Sequence, residues 1–160
     1  MTPQLILAMA LVASLQTPVL LDRTVAIVGG RPLLQSDVIT AQRLGMLEGD
    51  GVSPAAVGRL VDRELQLREA ERFFPFQADA AVLEARLTAV EARVGGRDAL
   101  ARILDAGGMT PERLRAWLRD DLHVQAYVRQ RFATEERRDV LLADWTADLR
   151  RRTTVVVIDP

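Results

Sequence analysis

Apolar residues recur along this chain with two different spacings. Between Ser36 and Arg150 they return every three or four positions, the interval of one helical face. At Val25–Val28 and Thr153–Ile158 they run consecutively and are largely β-branched, as in strands. Val25-Ala26-Ile27-Val28 leads into Gly29-Gly30, a pair that can take the positive φ angles of a type I′ hairpin turn. Pro32 then confines the returning strand to a sheet edge or its first residue. A lone hairpin is marginal in water, and Thr153–Ile158 is its natural third strand. The pattern predicts a mainly α fold: a helical domain with a small antiparallel β-sheet formed by an N-terminal hairpin and the C-terminal strand, with the helices on one face of the sheet.

The helix boundaries follow from capping residues. Ser36 as N-cap with Asp37 in the first turn predicts a helix to about Leu47, shortened if Gly45 breaks it. Ser53-Pro54 opens a second helix, with Val57, Leu60, Val61 and Leu65 on its apolar face, that ends where Pro75 disfavours α geometry at Phe74. A third starts near Asp79 and carries the stripe Leu83, Leu87, Val90 and Val94, closed by Gly95-Gly96. Asp98–Ala106 forms a short fourth helix. Thr110-Pro111 repeats the cap-and-proline signal for a long fifth helix to Phe132. Thr134-Glu135-Glu136 caps the last, with Leu141, Trp145 and Leu149 in one stripe.

Residues 1–20 stand apart. No charged side chain precedes Asp22, and Leu5–Val12 is an uninterrupted apolar run followed by Ala13-Ser14. The run is shorter than the roughly 20 residues that span a bilayer and is followed by small residues suited to a cleavage site. This predicts an export signal or N-terminal anchor over residues 1–20, and one domain over 21–160 with no stable membrane span after cleavage.

Composition narrows the chemistry. The 160 residues include no Cys, so disulfides, thiolate metal sites and cysteine nucleophiles are excluded. All 21 basic residues are Arg, interleaved with 22 acidic ones for a net charge of −1, which offers no field to draw nucleic acid or an anionic membrane. The single His123, on a helix, assembles neither an ordinary metal site nor a catalytic pair. Asp120-Asp121 and Glu135-Glu136 are adjacent on helices and point apart, as solvated faces do. No phosphate-loop pattern surrounds Gly29-Gly30 or Gly95-Gly96. The expectation is no catalytic residue, no metal and no cofactor. The aromatic residues Phe73, Phe74, Phe76, Trp117 and Tyr127 read either as packing residues or as a groove for extended apolar and aromatic segments.

Several segments taken together resemble the N-terminal domain of SurA-type periplasmic chaperones. The leader followed by strand, glycine turn, strand and helix resembles the start of that family. Val61-Asp62-Arg63-Glu64-Leu65-Gln66-Leu67-Arg68-Glu69-Ala70 is similar to its second core helix. Gly107-Gly108-Met109-Thr110-Pro111-Glu112-Arg113-Leu114-Arg115-Ala116-Trp117-Leu118 is similar to its element leading into a long arm helix. Trp145–Arg152 followed by a strand resembles its C-terminal segment. Full-length members carry parvulin-type prolyl isomerase domains between arm helix and C-terminal segment, and the interval from Phe132 to Trp145 is too short for a domain of about 50 residues. The resemblance implies a periplasmic holdase that binds unfolded polypeptides such as outer-membrane protein precursors, without isomerase activity. A non-catalytic adaptor docking a fixed partner, such as a separate prolyl isomerase, is the alternative, and an isomerase with an unfamiliar site ranks last.

Overall fold

The computed structural model describes residues 22–133 and 135–158, so the segment 1–20, expected to be an export signal or N-terminal anchor, lies outside the described residues. β1 (Thr24–Val28) turns through Gly29-Gly30, at φ 52° and 88°, into β2 (Arg31–Leu34). Six helices follow: α1 (Gln35–Arg43), α2 (Pro54–Phe73), α3 (Ala80–Val94), α4 (Arg97–Ala106), α5 (Pro111–Arg131) and α6 (Arg138–Arg152). The chain closes with β3 (Val155–Val157), giving an antiparallel sheet of order β2-β1-β3. The mainly α fold with a hairpin joined by the C-terminal strand is as the pattern predicts, and Pro32 lies on an edge strand.

The caps at Ser53, Asp79 and Thr110 form as expected, each accepting from a backbone N–H of its first turn. Helix α1 differs. It starts one residue before Ser36, and Ser36 does not cap it. Asp37 instead reaches back to accept from the Leu34 N–H at 3.2 Å. Asp22 accepts from both the N–H and the hydroxyl of Ser36, so the α1 terminus is satisfied from a segment 14 residues away. The helix ends at Arg43, and Gly45 at φ 64° turns the chain out. The last helix starts at Arg138, after a 3₁₀ turn at Glu135–Arg137, so its first turn lies later than the acidic cap predicted at 134–136; Thr134 itself is outside the described residues.

Helix α2 is central. It packs on β1, α1, α5 and α6. Val57, Leu60, Val61, Leu65 and Ala70 are all at most 2% exposed and join Val25, Ala26 and Val28 of the sheet and Trp145 and Leu149 of α6 in one core. Burying a side chain of that size stabilises by about 1.5–3 kcal/mol. A second cluster, centred on Leu44, Val90, Leu100, Leu104, Leu114 and Leu118, joins α1 to α3, α4 and α5. Trp117 touches both clusters. Gly107 brings the end of α4 against α1: a Cβ there would meet the buried Thr40 side chain, so any larger residue requires Thr40 or the helix end to shift. Among the described residues no helix is long and apolar enough to cross a membrane.

Candidate functional site: an apolar groove on α3, α4 and α5

The aromatic residues separate into three places. Pro75 ends α2 with Phe74 extended, at φ −139°, and the turn lays Phe74 and Phe76 over α5. Phe76 stacks on His123 with ring centroids 5.0 Å apart, and Phe74 lies 6.1 Å from Tyr127. Tyr127 in turn meets Trp145 at 5.7 Å, which meets Phe132 at 5.9 Å. His123 Nε2 donates to the Phe74 carbonyl at 2.7 Å, pinning the turn. Phe74, Phe76 and Tyr127 thus come together, with Tyr127 buried in the core and the other two half-buried. Phe73 stands outside, 56% exposed, with the Arg72 guanidinium 5.0 Å over its ring. Trp117 belongs elsewhere: Arg63 stacks on it at 4.0 Å, within a group of ion pairs between β2, α1, α2 and α5.

Those pairs clamp the elements. Arg63 donates to Asp121 at 2.7 Å and to the Trp117 carbonyl at 3.1 Å. Arg113 binds Asp37 at 2.6 Å, and Arg31 binds Glu64 at 3.3 Å. A cavity of about 100 Å³ lies between them. Burial raises the carboxyl pKa of Asp37, Glu64 and Asp121 above the ordinary range, opposed foremost by Arg113, Arg31 and Arg63 respectively. Asp120 is raised by burial too, with Arg63 opposing. Asp37, Glu64 and Asp121 are each paired with an arginine, the arrangement of a structural lock. Among the described residues no group of three or more His, Asp or Glu side chains is placed to hold a metal ion.

The open apolar surface lies along the α3 stripe, whose residues pack only in part against the second cluster. Only Val90 of α3 is buried; Leu83, Leu87 and Val94 are half-exposed, and Val82 is 45% exposed. Helix α3 leans on α4 and α5 without being covered on its far side. Between the three helices is a recess of about 280 Å³. Its floor is Leu100, Leu104 and Leu114, its wall Leu87, and Ala101 is at its mouth. Glu91, Arg97 and Arg115 form a charged rim, with Arg115 paired to Glu84 and Arg97 Nε 3.9 Å from Glu91. An apolar floor with a paired ionic rim favours aliphatic side chains and has little means of reading an exact sequence. From sequence these leucines read only as apolar helix positions and not as a binding surface, because helical periodicity marks an apolar face without saying whether a neighbour covers it.

No protein-family model matches the chain, and no curated protein matches it.

Proposed function

We propose that this chain is an exported chaperone of the holdase type, which reversibly captures apolar segments of unfolded polypeptides and performs no prolyl isomerisation. The observation that supports it best is the recess between α3, α4 and α5: buried leucines at the base of an open depression, beside a helix that leaves most of its apolar stripe partly uncovered. Capture there needs no cofactor and no covalent step. Ordering a flexible client offsets much of the contact energy, so binding is weak and reversible. Together with the leader at 1–20, the reading places the protein in the periplasm, with unfolded outer-membrane β-barrel precursors as clients. Their strands alternate apolar and polar residues, which an apolar floor accepts without a fixed motif.

The test is light scattering of assorted urea-unfolded β-barrel proteins diluted into buffer. The purified chain lowers scattering in proportion to its concentration. Ala101→Glu, at an exposed helical position, places a charge at the recess mouth and weakens suppression severalfold while leaving the circular dichroism unchanged. Scattering curves that overlay with and without the wild-type chain would sink the holdase reading and favour an adaptor with one fixed partner.

A further inference from the structure

The two edges of the sheet are built differently. Gly29 N donates to Thr154 O at 2.9 Å, and Ile158 N donates to Val25 O at 2.9 Å. The pairing of Ile27 with Val156 fits that phase, so odd-numbered β1 residues and even-numbered β3 residues turn their backbone groups toward one another. Ile27 faces β3, so its partner across the hairpin, Pro32, turns its backbone outward from the opposite edge. Proline has no N–H, and that edge therefore lacks an outward donor in the middle of β2. Val155 and Val157, by the same alternation, turn their N–H and C=O groups outward from β3. No described strand pairs with them.

The side chains agree with the backbone. Strand β3 is three valines, with no charge and no proline to blunt it. Val157 stands opposite Ala26, on the face turned to the helices, yet Ala26 is 0% exposed and Val157 54%. On the other face Val156 is 49% exposed and Ile158 37%. Both faces of this edge present uncovered β-branched side chains, and a neighbouring strand with apolar residues would cover them.

We infer that the β3 edge takes up an extended, β-branched stretch of client chain as a fourth strand. This rests on the polypeptide-binding reading above and adds to it a second contact, separate from the recess. A second copy of the chain is the poorer occupant: three edge residues fall far short of the roughly 20–30 per partner that a stable interface uses. So small a contact suits transient capture, in which outward main-chain groups supply hydrogen bonds that are blind to sequence.

The probe is a fluorescent, end-capped peptide of alternating valine and threonine, flanked by lysines for solubility. Anisotropy detects its binding to the wild-type chain. Val157→Pro removes one outward N–H and weakens binding about fivefold or more, while Val157→Thr, which keeps the N–H, stays within about twofold. Amide exchange on the wild-type chain gives a readout independent of any variant. Saturating peptide slows exchange at Val155 and Val157 by about tenfold, a change not shared by Val156, which is already bonded to β1. Unaltered binding by a folded Val157→Pro chain, or peptide without effect on the Val155 and Val157 amides, overturns edge docking. If barrel aggregation is still suppressed in that case, the holdase reading stands. Slow exchange at both amides without peptide, or protection that grows with protein concentration, also overturns the inference, because the chain itself or a second copy then occupies the edge. A wild-type chain that neither binds the peptide nor suppresses aggregation defeats both readings.

Discussion

Glu64 sits on the buried face of α2 between Val61 and Leu65, its side chain 4% exposed, with Arg31 Nη1 3.3 Å away at the surface. Burial raises its pKa, and Arg31 and then Arg63 oppose that without cancelling it. The fold therefore favours the protonated acid more than the unfolded chain does. Its stabilising contribution is fully present below the ordinary glutamate range and is lost as pH rises through the raised folded value. Glutamine resembles the neutral acid, so Glu64→Gln should melt with the wild type near pH ~4 and no lower, by up to a few degrees higher, at neutral pH. Melting curves across that range decide it; a variant that loses stability as pH rises relative to wild type would mean the Arg31 pair outweighs burial. The position was legible and its meaning was not. Residue 64 follows Leu60 by four and Val61 by three, which puts it on the apolar face. In the run Val61-Asp62-Arg63-Glu64-Leu65, however, nothing marks that acid apart from the charges around it. His123 was read as non-catalytic because it stands alone, but its bond to the Phe74 carbonyl depends on a turn 49 residues away.

At the scale of elements, what a few neighbouring residues decide was readable, and what a distant segment decides was not. Ser53-Pro54, Asp79 and Thr110-Pro111 act within their own first turns, and the helices begin there. Ser36 looks like the same signal, but Asp22 serves that terminus from across the hairpin and Ser36 becomes its donor. The stripe on α3 was legible as apolar, and its partial exposure depends on α4 and α5 covering only one side of it. Strand β3 was legible as a strand from its β-branched run, and its partner followed from the hairpin's need for a third strand. Removing residues 153–160 tests how much that pairing contributes. The Gly29–Thr154 and Val25–Ile158 bonds go with it, and Ala26 and Val28, both 0% exposed, lose their neighbours on one side. At about 1 kcal/mol per bond plus the apolar area, melting should fall by about 10 °C or more. A truncated chain that melts with the full one would make β3 a dispensable tail.

For the whole molecule, the arrangement of charge decides what kind of partner the surface can hold. The 21 arginines face 22 acids, and many are engaged with one another or with main-chain carbonyls: Arg150 with Asp62 at 2.6 Å, Arg152 with Glu69 at 3.0 Å, Arg93 with the carbonyls of Leu44 and Gly45 at 3.1 and 2.9 Å. Charges spent on internal ties, with a net of −1, leave little long-range attraction for salt to screen. The surfaces proposed for client binding are a leucine-floored recess and a valine edge, and apolar contact is not weakened by added salt. The connection from α5 to α6 passes through Phe132–Arg137, so these surfaces belong to a domain with no inserted module at that point. Suppression of barrel aggregation should therefore hold within about twofold between low salt and ~0.5 M sodium chloride, scored against the salt dependence of the client alone. A collapse of suppression over that range would place capture on the arginines instead, through acidic segments of the client, and would remove both the recess and the β3 edge from the binding site.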